Sequence, residues 1–374
     1  PLAACLGYVL AQDQLASMDV PAYDNSAMDG YAINTEDFGA GQTRWNISQK
    51  IAAGHPGQPL ARGTAARIFT GAPVPLGADA IIMQENAVAD GATVSFSELP
   101  RAGQNIRLKG HDLATGHKVL EAGRRLQPQD LGLLASLGIG QVRVYKPLVV
   151  AILYTGDEVV APGQTLAPGQ LYDSNSFMLA AALQALGMQV HKIGIVADNL
   201  EATRKALIAA AGVADCVIST GGVSVGDEDH VKPALESLGE LSLWKLAIKP
   251  GKPFSFGRIG TIPFFGLPGN PVAVFVTWLV LVRPALLRMQ GAEMAAVQML
   301  KVSAGFVVEE AGSRQEYLRV RLQQLEPDGL PVAVPFSDQG SSLLSSLSWA
   351  EGLVIIPRHE TVRQGSLLNY IPFR

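Results

Sequence analysis

From Leu148 onward the chain alternates short, wholly apolar runs with segments of helical spacing, and few folds accommodate that pattern. Leu148–Leu153 is a continuous apolar run ending in Thr155-Gly156-Asp157-Glu158, and Asp173–Leu186 then has helical spacing with Ser174 and Asn175 as caps. Val190–Val196 reads as the next strand, Asp198 or Asn199 as the cap of a helix through Ala211, and Cys216–Ser219 as a third strand before Gly221-Gly222. This βαβαβ order predicts a mostly parallel sheet, and strands apolar at every position predict helices over both faces. Ligands in such sheets bind just beyond the C-terminal strand ends, so the turns at 155–158 and 219–226 are the first candidates for a site.

The flanking segments differ in character. Pro21 to Asp112 is rich in Gly, Pro, Asn and Asp between short runs such as Ala65–Thr70 and Ala80–Met83, as short-strand β-structure requires. After Met289, strand-like pieces recur at Lys301–Val308, Glu316–Leu325, Pro331–Val334 and Glu351–Ile356. The expected class is therefore multi-domain α/β plus β. Residues 19–112 form a β-rich domain, 147–299 an α/β domain and 300–374 a small C-terminal β domain. A discontinuous connecting domain takes 1–18 and 113–146, with helices at Cys5–Leu15 and Pro128–Leu137 and a strand-like exit at Val142–Tyr145.

Composition narrows the function classes. With 29 Lys plus Arg against 33 Asp plus Glu, a net charge of −4 and 6% aromatic residues, nothing supports a nucleic-acid partner. Two cysteines, Cys5 and Cys216, make neither a disulfide framework nor a CxxC pair. The longest apolar run, Val272–Val282, ends at Arg283-Pro284, short of the roughly twenty residues of a bilayer span. Pro1–Leu15 lacks the basic flank and cleavage site of a signal peptide, so the expected location is cytoplasmic, without a membrane partner.

Several motifs can carry chemistry. Gly221-Gly222 either cradles a phosphate or merely turns the chain. Asp227, Glu228 and Asp229 follow that loop, then Lys245, Lys249 and Lys252; carboxylates beside a phosphate imply a hard divalent cation such as Mg²⁺ between them. Gly266-Leu267-Pro268-Gly269-Asn270-Pro271 opens a helix with Asn270 as N-cap, serving equally as an anion site or as an ordinary capped start. Asp24–Ala32, Thr70–Pro75 and Asn105–Asp112 are polar turns of the β-rich part. The six histidines show no metal-binding spacing, and GxSxG, Walker A and GxGxxG motifs are missing.

Taken in order, Asp24–Ala32, Thr70–Pro75, Thr155–Glu158, Ser219–Asp229, Trp244–Pro253 and Gly266–Pro271 resemble the molybdopterin molybdenumtransferase family, whose animal counterpart is the C-terminal domain of gephyrin. The resemblance implies a homodimer whose α/β cleft is completed by the β-rich domain of the other subunit. It also implies insertion of molybdate into adenylylated molybdopterin with Mg²⁺-dependent release of AMP. By resemblance the catalytic set is Asp29, Asp112, Glu158, Asp229, Lys245 and Lys249, with Glu158 and Asp229 as metal ligands. The binding set is Thr70, Arg107, Thr155, Gly156, Asp198, Gly221, Gly222, Ser224, Lys252, Pro268, Pro271, Arg319 and Ser341. In this reading the lysines offset phosphate and molybdate charge, Arg107 grips an oxyanion bidentately, and no protein nucleophile is needed. Tyr154 stands where the family commonly has Ser, and its Arg-rich run is diluted to Arg107-Leu108-Lys109-Gly110-His111. Two other readings stay open: a molybdopterin adenylyltransferase, which also appears as a possible partner, and a non-catalytic carrier or scaffold.

Overall fold

The apolar strand Val149–Thr155 shows why the α/β region folds as it does. Val150 and Ile152 pack with Leu179, Leu183 and Val274, while Ala151 and Leu153 pack with Leu207, Ala210 and Val231. Side chains alternate across a strand, so a strand apolar at every position must be covered on both faces. The computed structural model describes residues 1–40, 42–97, 100–222, 230–293, 297–324 and 329–373.

These residues form two compact units: Pro1–Leu6 with Leu10–Ala122 and Leu126–Arg143, and Gly7–Val9 with Gly123–Arg125 and Val144–Arg374. The larger unit holds a 6-stranded sheet in the order Gln189–Val196, Val149–Thr155, Cys216–Thr220, Ile262–Leu267, Ser255–Ile259, Gly239–Trp244. The first four strands run parallel; the last two add antiparallel, a short turn joining Ser255–Ile259 to Ile262–Leu267 and residues 245–254 joining Gly239–Trp244 to Ser255–Ile259. Helices Asn175–Ala185 and Leu200–Val213 lie where the spacing predicts them, and Asn199 caps the second by accepting from the Ala202 amide at 2.9 Å. At the first, Ser174 holds the N-cap position without a side-chain bond. Asp173 takes the capping role instead, accepting from the Ser176 amide at 2.9 Å and from the Ser176 hydroxyl.

Pro271–Met289 is a helical stretch of 19 residues with mean hydropathy 1.8, long and apolar enough to match a membrane span by composition. Here Val272, Val274, Val276, Leu279, Val282 and Leu286 are buried against the sheet and the C-terminal strands. Those C-terminal strands run in the order Ile248–Lys249, Gln315–Gln323, Val332–Pro335, Leu300–Ala304, Leu367–Pro372, Gly352–Ile356. Gln315–Gln323 also pairs with Gly352–Ile356, which closes a small barrel around Val302, Val320, Val354 and Tyr370. The strand Leu367–Pro372 and the helix Leu344–Trp349 have no counterpart in the sequence reading.

The smaller unit is built on a 6-stranded sheet, Ala80–Met83, Gly30–Ile33, Thr64–Ile68, Trp45–Ile51, Thr93–Phe96, Ala87–Asp90. Its core includes Tyr31, Phe38, Trp45 and Phe96, with the Phe38 and Trp45 rings 4.4 Å apart. Pro128–Ser136 is helical as expected. The helix expected at Cys5–Leu15 does not form: a 3-10 turn spans Leu2–Ala4, and Gln14–Leu15 pairs as a strand with Lys118–Leu120. Gly7 interrupts it at φ +79°, and its carbonyl accepts from Arg125 Nε at 3.0 Å. Val142–Tyr145 likewise forms no strand.

Candidate functional site

At the C-terminal ends of the parallel strands, the larger unit opens a cleft of about 1080 Å³, lined by Thr155, Gly156, Glu158, Asp198, Gly221, Gly222, Lys249, Lys252, Pro268, Pro271 and Ser341 among others. These are residues the sequence singled out, drawn together from turns spread over most of the unit. The glycines are there for steric reasons. Gly221 and Gly222 take φ +80° and +62°, and a Cβ on Gly222 would lie 2.6 Å from Thr155 Oγ1 and 2.7 Å from Val231. Among the described residues Thr155 Oγ1, which is buried, has no hydrogen-bond partner beside this floor.

Lys249 and Lys252 project from a loop closed by Lys245 N donating to the Phe254 carbonyl at 2.8 Å and Leu246 N to the Lys252 carbonyl at 2.9 Å. Lys245 itself is exposed at φ 76° and is not among the described residues lining the cleft. Lys249 Nζ donates to both carboxylate oxygens of Glu316 at 3.1 Å. Its backbone pairs with Glu316 in parallel register, tying the lysine loop to the barrel. Tyr154 lines the cleft as well; desolvation pushes its phenol up, and Asp173 beside it reinforces the shift.

The helix start at Pro271 is already engaged. Asn270 makes no side-chain cap; its amide donates to Ser341 Oγ at 2.9 Å, and the Val272 amide donates to the Ser341 carbonyl at 3.1 Å. Arg319, expected at the cleft surface, lies fully buried beneath it. It donates to Ser346 Oγ at 2.9 Å and to the carbonyls of Asp338, Gln339 and Gly340 at 3.3, 3.1 and 2.9 Å. Burial pushes its guanidinium pKa down, while Asp338 opposes that shift. Its visible role is to clamp the loop that presents Ser341, and a charged residue on the inward face of a strand was the available signal for it. Ser224 and Asp229 lie outside the described residues.

In the smaller unit three sequence motifs converge. Ser26 N donates to the Ala72 carbonyl at 2.9 Å, Gly71 N to the Ser26 carbonyl at 2.8 Å, and Asn25 pairs with Arg107. Asp29 accepts from the Thr70 amide at 2.7 Å and the Thr70 hydroxyl at 2.8 Å. Those two bonds hold its carboxyl below the ordinary 3.8 against a small desolvation effect. Arg107 and Asp112 are exposed, the latter held through its backbone amide on the Val20 carbonyl at 2.9 Å. Sequence reasoning missed Asp173, Asn175, Arg314 and Gln339, all of which line the cleft of the larger unit.

Among the described residues no group of three or more His, Cys, Asp or Glu side chains is arranged to hold a metal. Glu158 and Asp198 line the same cleft, and two carboxylates with substrate phosphates are a donor set that Mg²⁺ accepts.

Three family models cover the chain: the MoeA N-terminal region (domain I and II) matches residues 1–138, the probable molybdopterin binding domain 151–288, and the MoeA C-terminal region (domain IV) 301–373. A molybdopterin molybdenumtransferase of Haemophilus influenzae is 46% identical over 285 residues, 76% of this chain and 70% of that protein. One from Nostoc is 37% identical over 369 residues, covering 96% of this chain and 84% of its own length. A molybdopterin biosynthesis MoeA protein of Pyrococcus horikoshii superposes with a TM-score of 0.81 at 33% identity, covering 100% of this chain and 93% of that one. The order of elements, the cleft and these relatives agree: the chain belongs to the molybdopterin molybdenumtransferase family.

Proposed function

We propose that this chain inserts molybdate into adenylylated molybdopterin with Mg²⁺-dependent release of AMP. It is a transferase of molybdenum cofactor biosynthesis, as its family membership implies. The observation that carries the finer reading is the cleft itself, which combines the carboxylates of Glu158 and Asp198 with Lys249 and Lys252 at the strand ends. Lysine ammonium groups there neutralise phosphate or molybdate oxygens. The glycine floor lets a ligand approach the backbone closely. Glu158, with Asp198, is suited to hold Mg²⁺, which when bound screens the carboxylates from the pyrophosphate. Molybdate oxygen or water supplies the attacking atom, so positioning and charge neutralisation are the work left to the protein.

The reading includes a homodimer, a cytoplasmic location and an adenylyltransferase as supplier of the substrate. Matches to both the N-terminal and C-terminal MoeA regions favour the molybdenumtransferase over the adenylyltransferase itself. The test is anaerobic AMP release from adenylylated molybdopterin, with molybdate and Mg²⁺ each present or omitted. Release that requires both is the expected result. Binding without AMP release under any condition would replace this reading with a carrier or scaffold.

A further inference from the structure

In the smaller unit, the turn that carries Asp29 is braced by a charge the proposed function does not use. Arg67 lies directly opposite Tyr31 in the antiparallel register of the strands Gly30–Ile33 and Thr64–Ile68. Its guanidinium carbon is 5.2 Å from the centre of the Tyr31 ring and 4.8 Å from that of Phe69, two residues further along the chain. Contact with two aromatic rings suits the flat guanidinium and restricts its orientation.

From that position Arg67 reaches both sides of the Asp29 peptide. Nη1 donates to the Gly30 carbonyl at 3.0 Å and Nη2 to Gln84 Oε1 at 2.6 Å. The backbone amide of Gln84 in turn donates to the Asp29 carbonyl at 3.0 Å. The turn has little room to shift, since a Cβ at Gly30 would lie 2.0 Å from the Ile82 carbonyl oxygen. Thr70 fixes the side chain: its amide and hydroxyl both bond Oδ1, and among the described residues Oδ2 accepts no hydrogen bond. After the larger effect of those two bonds, the charge of Arg67 also favours the ionised carboxyl.

We infer that Arg67 is a positioning residue of the reaction: through the Gly30 carbonyl and Gln84 it fixes the backbone from which Asp29 presents Oδ2. The inference rests on the function proposed above and on the resemblance that puts Asp29 in the catalytic set.

The test compares full-length wild type, Arg67→Met, Arg67→Lys and, as a control in the same sheet, Arg44→Ala, whose arginine forms an exposed pair with Asp90. Two readouts are taken: anaerobic AMP release from adenylylated molybdopterin with molybdate and Mg²⁺, and amide hydrogen exchange resolved by residue. Methionine keeps an apolar stem beside the rings and removes both donors, so kcat should fall about ten- to hundredfold while KM stays near the wild-type value. The Thr70 and Gln84 amides, which hold Asp29, should exchange about tenfold faster, with the amides of Thr64–Ile68 unchanged. Lysine should recover only a minor part of kcat, because one ammonium cannot serve two acceptors laid out for a fork. A wild-type kcat in Arg67→Met, or a loss confined to KM, overturns the positioning role and leaves the molybdenumtransferase reading standing. Unchanged exchange at Thr70 and Gln84 overturns it as well, and full recovery in Arg67→Lys overturns the two-point hold. If wild type releases no AMP, the molybdenumtransferase reading and the catalytic role of Asp29 fall together, while the exchange arm still shows whether Arg67 holds the turn.

Discussion

Replacing Arg319 by Ala should uncouple the Ser341 loop from the barrel. The guanidinium makes four contacts of 2.9 to 3.3 Å to Ser346 Oγ and the Asp338, Gln339 and Gly340 carbonyls, at zero solvent exposure. Removing it takes the donor from the buried Ser346 hydroxyl and from three carbonyls of a half-buried loop. A buried or half-buried polar group that loses its partner costs about 1–3 kcal/mol, and with several groups affected about 3–5 kcal/mol is expected in all. With a urea dependence of about 2–3 kcal/mol/M, the unfolding midpoint of the larger unit should fall by about 1–2 M. Tryptophan fluorescence suits the assay, since Trp349 packs on Phe336 at 5.1 Å and the Phe336 amide donates to the Arg319 carbonyl at 2.9 Å. Arg319→Lys should recover little, because one ammonium cannot span acceptors laid out for a planar fork. A midpoint within about 0.3 M of wild type for Arg319→Ala would show that the loop satisfies its carbonyls by other means, and the clamp would be discarded.

Asp29 should titrate below 3.8 by carboxyl NMR, because the Thr70 amide and hydroxyl bond its charged form. A depressed folded pKa contributes stability that is present above the unfolded value and lost as pH falls through the folded one. Thr70→Val, which keeps only the amide, should move the midpoint partway back, and a wild-type midpoint at or above 3.8 would sink the assignment. Gly222→Ala places a methyl 2.6 Å from Thr155 Oγ1 at φ +62° and should cost about 2–5 kcal/mol in chemical unfolding, from left-handed strain plus overpacking. Thr155→Ala in the same chain should relieve part of that cost; strict additivity of the two changes would refute the contact.

The parallel sheet was legible because its signal is redundant: every residue of Val150–Leu153 is apolar, and each face finds helices. A cap at Asp198 or Asn199 was legible for a similar local reason, a short acceptor just before a free amide, and Asn199 takes it. What escaped depends on tertiary geometry. Apolar Leu6, Val9 and Leu10 suggest helical spacing, but Gly7 adopts a left-handed conformation whose carbonyl serves Arg125, more than a hundred residues away in sequence. Asp173 outcompeted Ser174 as a cap since its carboxylate reaches both the amide and the hydroxyl of Ser176. Sequence reasoning passed over Arg314, which lines the cleft. Only the pairing of Lys249 with Glu316 brings it to the cleft, and no local pattern encodes a register between strands more than sixty residues apart.

The C-terminal barrel therefore shapes the cleft by three separate routes. It sets the lysine loop through strand register at 248–249, it holds the 338–340 loop on Arg319, and through Ser341 it caps the helix that begins at Pro271. That helix explains why the routes cooperate. Its apolar length, which by composition matches a membrane span, packs against the sheet through Val272 and Leu279 and shares a core with Tyr317, Leu353 and Ile355 of the barrel. Close-packed cores transmit displacement rather than absorb it. A shift of the barrel strands must then move the helix start, Pro268 and Pro271 at the cleft, and Ser341 together. Substitutions in the barrel core that never touch a ligand should accordingly change ligand affinity and barrel stability in parallel, whereas substitutions at Lys252 should change affinity alone.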